Sequence, residues 1–201
     1  MLWYYDMSRR KFLQIAGLAT AGVALSGCRF QGSVRDGAGT ADRSTETVAM
    51  KRAIAAALHD AGVEIVLCVP ATGTAKIFDA YNHMAPQALP YSYNEEVAYT
   101  IGHGAGLTGR RAAVIIKAHG LAKAANSVID SVTAGTTAGF VIIITCDLKG
   151  RHSDNIFDHL DFVKGTGIPF RISRDGTTYQ DVQDCFSWSE QLGLPVAILI
   201  D

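Results

Sequence analysis

Residues Phe140–Thr145 read F-V-I-I-I-T, an unbroken run of apolar, mostly β-branched side chains that shows no polar alternation. A strand with one wet face alternates polar and apolar residues, whereas a continuous apolar strand is covered on both faces, as in parallel sheets flanked by helices. Residues 112–117, A-A-V-I-I-K, and 195–200, P-V-A-I-L-I, share the pattern. Around these runs strand and helix signals take turns. A helix ending near Gly62 leads to a strand at 64–69, a helix at 74–84, a short strand at 89–93 and a helix at 95–107. The strand at 112–117, a helix at 121–138, the strand at 140–145, a polar loop, a helix at 178–192 and the strand at 195–200 complete the series. The alternation predicts an α/β fold, a three-layer, doubly wound, mostly parallel sheet. Ligands of such sheets bind beyond the carboxyl ends of the strands, so the loops at 70–72, 94–96, 118–120 and 147–155 are where chemistry is expected.

With 201 residues, 48% of them hydrophobic, and a net charge of -1, the chain is expected to bury one core, and it lacks the basic excess of a nucleic-acid-binding protein. Residues 1–28 read as an address: Ser8-Arg9-Arg10-Lys11-Phe12-Leu13 is a twin-arginine signature, and Leu25-Ser26-Gly27-Cys28 after an apolar run resembles a lipobox with Cys28 as the lipidated thiol. The expectation is export by the twin-arginine route and a lipid anchor on the outer face of the cytoplasmic membrane, or a cytoplasmic protein if the leader is not functional. Residues 29–45 are small, polar and mixed in charge, as a flexible tether would be, so the folded domain is expected over 46–201. Cys68, Cys146 and Cys185 have no C-x-x-C spacing and read as buried thiols, not metal ligands.

Residues 91–109 hold two competing signals. Gly104-x-Gly106-x-x-Gly109 matches a nucleotide-loop pattern, and Glu95 and Glu96 stand just upstream. A dinucleotide loop needs a strand running straight into its first glycine. Here Val97, Ile101 and the small Ala98, Gly102 and Ala105 precede or flank Gly104 at helical spacing, so the glycines fall late in a helix and favour close packing against another backbone. Glu95 falls where a strand end meets a helix start, a place that favours an anion, either as plain helix-terminal charge or as a functional acid.

The run from Glu95, E-E-V-A-Y-T-I-G-H-G-A-G-L-T-G, resembles the glutamate-bearing helix in the pyrimidine-binding domain of thiamine diphosphate enzymes. There a small residue follows the glutamate at three positions and a glycine at nine, which here are Ala98 and Gly104, and Thr108-Gly109 closes the helix. The segment from Ala118 through His119, Gly120 and Lys123 to Asn126 is similar to the Ser-Gly-Leu-Gly-Asn turn of sulfopyruvate and phosphonopyruvate decarboxylases. His119 stands in place of serine or threonine, Ala122 of glycine, Lys123 of asparagine, and Ala71 of a glycine after Pro70.

The resemblance implies that Glu95 hydrogen-bonds the aminopyrimidine, that Pro70, Ala71, Thr72, Gly120 and Asn126 line the cofactor, and that His119 assists catalysis. Lys149, Arg151 and His152 would either meet an acidic substrate tail or form a solvated loop. It also implies a 2-oxo acid decarboxylase acting with thiamine diphosphate and Mg2+. No Gly-Asp-Gly metal loop occurs in this sequence, so the diphosphate and most of the metal coordination would come from a separate subunit carrying that motif, in a hetero-oligomer. Two other readings share these residues: a membrane-tethered binding or scaffold protein without turnover, and half of a transketolase-like carboligase.

Overall fold

A computed structural model of the chain describes residues 40–85, 89–147, 150, 158–174 and 176–200, with side chains from Val48 onward. The twin-arginine stretch, Cys28 and the first part of the tether lie outside the described residues, as do Lys149, Arg151 and His152. The elements are α1 (Thr40–Asp60), β1 (Ile65–Cys68), α2 (Thr74–Asn82), α3 (Glu95–Leu107), β2 (Ala112–Lys117), α4 (Ala118–Lys123), α5 (Ala125–Ala134), β3 (Phe140–Thr145), α6 (His159–Thr166), β4 (Phe170–Ile172), α7 (Thr178–Leu192) and β5 (Val196–Ile200).

The five strands form one sheet in the order β1-β2-β3-β5-β4, every pair parallel. Ile115 in β2 lies opposite Cys68 of β1 and Ile143 of β3, which centres the apolar runs on one another. Successive residues of a strand point to opposite faces, and both faces are covered. Ala113, Ile115, Val141, Ile143 and Ile198 pack on one side with Ile54 and Leu58 of α1, Phe78 of α2 and Phe186 of α7. On the other side Val114, Ile116, Ile142, Ile144 and Leu199 pack with Tyr99 of α3, Leu121 of α4, Val128 of α5 and Val163 of α6. The three-layer α/β fold expected from F-V-I-I-I-T is the fold observed, and every residue of β3 is buried. Among the described residues no helix is long and apolar enough to cross a membrane.

Four local expectations differ. Residues 89–93 are not a strand: Ser92 N–H donates to Cys68 O at 2.9 Å, but Pro90 lacks an N–H. The single helix expected over 121–138 is two, α4 and α5, divided at Ala124, whose amide donates to both Gly120 O and Leu121 O. No helix breaker marks that point, and Ala124 at the division is fully buried. The chain leaves α5 at Gly135, whose φ of 78° is readily accessible only to glycine. The polar loop after β3 contains α6 and the short β4. Finally, α1 begins at Thr40, inside the stretch read as tether, where no glycine or proline interrupts the sequence after Gly39.

Cys68 and Cys185 are buried and free, and burial pushes both thiols up to about 12, which leaves them protonated and unreactive. Cys146 is half-buried just beyond β3.

Candidate active site

Parallel strands put their carboxyl ends on one edge, and the chain gathers three loops there. The β1–α2 loop is folded by Thr74, whose hydroxyl donates to Val69 O at 2.8 Å and accepts from Ala71 N–H at 2.7 Å. Thr145 at the end of β3 donates to Thr72 O at 3.4 Å, carrying the loop across the sheet edge. Its Cβ and Cγ2 would each lie 3.4 Å from a Cβ on Gly73, whose φ of 90° suits glycine. Pro70 and Thr72 are left exposed and Ala71 half-buried.

The second loop leads into α3. Asn94 is extended at φ -145°, ψ 123°, and its side chain accepts from Val97 N–H at 3.0 Å, so Asn94 caps the helix. Both carboxylates behind it are therefore free of capping duty, and the helix dipole favours their negative charge. They diverge from there. Glu96 is exposed and accepts from Ser127 Oγ on α5 at 3.2 Å. Glu95 turns inward, its side chain only 19% exposed, and its Oε2 lies 3.1 Å from Lys123 Nζ.

The third element is α4, which starts directly at the end of β2 and lies against Glu95. A Cβ on Gly120 would stand 2.7 Å from Glu95 Cγ and 3.2 Å from its Oε1, so the glutamate occupies the space that glycine leaves. His119, beside it, is half-buried with its Nδ1 shielded from solvent. The structure thus brings Glu95, Gly120 and Lys123 into contact, places His119 next to them in sequence, and leaves the β1–α2 loop at the same edge of the sheet. Asn126 is exposed on α5 and its amide donates to Asp130 at 3.2 Å. Two participants went unread in the sequence. Asn94 carried the signal of an N-cap residue before a helix, and Lys123 stood in the turn but was not connected to Glu95.

Packing explains the glycine pattern at one position: a Cβ on Gly106 would crowd Thr136 Oγ1 and lie 3.4 Å from Phe140 Cβ, whereas one on Gly104 would meet nothing within 4 Å, and Gly109 closes the helix at φ 85°. Outside the pattern, a Cβ on Gly102 would come within 2.7 Å of Phe140 Cε2. A shallow cleft lined by Phe170, Arg171, Asp184, Ser187, Trp188 and Gln191 includes none of the expected site residues. No group of three or more His, Cys, Asp or Glu placed to hold a metal ion occurs among the described residues. A shielded carboxylate at a helix start is suited to holding one hydrogen bond against a ligand.

No family model matches the chain. Its sequence is 28% identical over 157 residues to the indolepyruvate oxidoreductase subunit IorA of Archaeoglobus fulgidus, covering 73% of this chain and 25% of that protein. It is 32% identical over 120 residues to the subunit of the same name from Thermococcus kodakarensis, covering 58% of this chain and 18% of the relative. The chain thus spans about a quarter or less of the length of these relatives. Its fold is similar to that of a 2-oxoglutarate:ferredoxin oxidoreductase from Magnetococcus marinus, solved with 2-oxoglutarate, coenzyme A and succinyl-CoA bound, with a TM-score of 0.66 and 15% identity over 75% of this chain and 28% of that one. At that identity the likeness speaks for the fold alone. The relatives are named oxidoreductases, and that likeness does not extend to the narrower resemblance to sulfopyruvate decarboxylase or to the lyase assignment drawn from it.

Proposed function

We propose that the chain is the pyrimidine-binding portion of a thiamine diphosphate-dependent 2-oxo acid oxidoreductase. The observation that carries the reading is Glu95: a carboxylate at a helix start, mostly shielded, laid across a glycine at the carboxyl ends of the strands. The similarity to two IorA subunits supports the oxidoreductase class. Oxidative loss of carbon dioxide from the 2-oxo acid therefore replaces simple decarboxylation.

When bound, the cofactor supplies a carbon nucleophile and an electron sink for the 2-oxo acid. The protein's part is positional. Glu95 holds a hydrogen bond at the aminopyrimidine ring nitrogen, and the low exposure of its carboxylate keeps that bond from being diluted by water. Gly120 lets the acid approach α4, and the loop of Pro70, Ala71 and Thr72 borders the same edge. His119, next to Gly120 in the sequence, is proposed to assist the reaction near the substrate. The diphosphate, with Mg2+, belongs to a separate subunit carrying a Gly-Asp-Gly loop, and the electron acceptor to another module of the hetero-oligomer. Lys149, Arg151 and His152 are proposed to meet the substrate's acidic end. Export and lipid attachment at Cys28 complete the reading and are checked by mass spectrometry of the membrane-bound protein.

A second reading is favoured by the ion pair that occupies Glu95: a membrane-tethered binding protein that keeps the fold without turnover. The two separate in one experiment. The tagged full chain is purified with its native partners and supplied with thiamine diphosphate, magnesium, coenzyme A as acyl acceptor, a panel of aryl and small 2-oxo acids, and a low-potential viologen dye as electron acceptor. Dye reduction coupled to carbon dioxide release supports the oxidoreductase. Carbon dioxide without dye reduction returns the assignment to a decarboxylase, and neither, with no cofactor binding, favours the scaffold.

A further inference from the structure

Glu95 is engaged by groups of its own chain. Its Oε2 is paired with Lys123 Nζ at 3.1 Å, and its Oε1 and Cγ lie over the bare Cα of Gly120. Both oxygens are turned toward α4, and only 19% of the side chain meets solvent. The other nearby acid does not share the ammonium's role, because Glu96 points to Ser127 on α5. Lys123 is itself 57% exposed, so its stem is free to swing into water without disturbing the core.

We infer that Lys123 is a latch on Glu95, a positioning residue that holds the carboxylate against α4 and is displaced when a ring nitrogen takes the acid's hydrogen bond. This rests on the proposed function, since the displacing group is the aminopyrimidine. The latch is weak by construction. A partly exposed ammonium–carboxylate pair contributes little, so release opposes ring docking by a few-fold and no more. The ammonium prevents a shielded carboxylate from standing uncompensated, and ligand exchange replaces one partner of Glu95 with another.

The test has two readouts. In the full chain, the rate at which trace acetic anhydride acetylates Lys123, followed by mass spectrometry, rises in Glu95→Gln, because a side chain released from its carboxylate partner is more open to the reagent. An unchanged rate means the pair does not form in solution and overturns the latch. In the complex purified with its partners, calorimetric titration with thiamine diphosphate and magnesium gives tighter binding for Lys123→Met, by about two- to fivefold, with Lys123→Arg returning to the wild-type value. Equal or weaker binding in Lys123→Met, with wild type still binding, overturns the latch and leaves the cofactor reading intact. No binding by wild type removes the cofactor reading and the latch with it.

Discussion

Replacing Gly120 by alanine separates the site from the fold. The added methyl would lie 2.7 Å from Glu95 Cγ, 3.2 Å from its Oε1 and 3.4 Å from its Cδ. Carbon atoms rest at roughly 3.5–4.0 Å, so the closest contact is short by about 1 Å and something must give. The neighbour is a flexible glutamate side chain, and Gly120 itself lies outside the left-handed region, so its backbone accepts alanine. Alanine in α4 gains about 0.5–1 kcal/mol over glycine. Against this stands the loss of the Lys123 pair, about 0.2–1 kcal/mol for a partly exposed ion pair. The two nearly cancel, and urea unfolding of Gly120→Ala is expected within about 1 kcal/mol of wild type. Function responds differently. With Glu95 swung away, the charge-assisted hydrogen bond to the cofactor is lost, worth about 1.5–3 kcal/mol, or roughly 10- to 150-fold in thiamine diphosphate affinity measured on the purified complex. A folded Gly120→Ala complex that binds the cofactor as wild type does would refute the reasoning, since Glu95 would then not need the space that glycine provides.

Two further perturbations test the framework around the site. Gly102→Ala drives a methyl to 2.7 Å from the buried Phe140 ring and is expected to destabilise by about 1–3 kcal/mol, whereas Gly104→Ala, with open space around it, is expected to stabilise by about 0.5–1 kcal/mol. Denaturant melts of the pair would contradict the packing of α3 if both shifts had the same sign. Arg111 donates to Glu190 at 2.6 and 2.8 Å, and that hydrogen bond, working against partial burial, holds the Glu190 carboxyl below the usual range. A depressed folded value means the stabilisation is present above the unfolded value of about 4.3 and is lost as pH falls through the folded one. The stability gap between wild type and Arg111→Met should therefore narrow on acidification below about pH 4, and a gap that widens would reverse the assigned sign.

The sheet was legible because its central strands are apolar throughout, and only burial on both faces tolerates that composition. F-V-I-I-I-T and A-A-V-I-I-K became β3 and β2 with the bounds read from the sequence. β4 was not legible: three residues, none of them fully buried, carry too little pattern to stand out of a polar stretch. The division between α4 and α5 escaped for a different reason, since alanines suit both a continuous helix and a turn, and contacts distant in sequence decide. At the site, the place of Glu95 at the start of α3 fitted plain helix-terminal charge as well as a functional acid, and the resemblance of the run that follows it singled it out. Its partner could not be singled out. Lys123 lies in a separate element after β2, and nothing local reveals that a glycine three residues earlier would draw the carboxylate alongside it. The proposed reaction class was equally hidden, because residues expected to hold a pyrimidine ring would not specify whether electrons leave with an acceptor or return with a proton.

The role of Glu95 is tested most directly by the rate at which the purified complex exchanges the thiazolium C2 proton of added thiamine diphosphate for deuterium, followed by quenched-flow NMR in wild type and Glu95→Gln. The expected result is a rate at least about 100-fold slower in Glu95→Gln, the range over which a positioned acid or base assists proton transfer. Equal rates in two folded, cofactor-loaded proteins would contradict it, and Glu95 would then be an ordinary surface acid at the start of a helix.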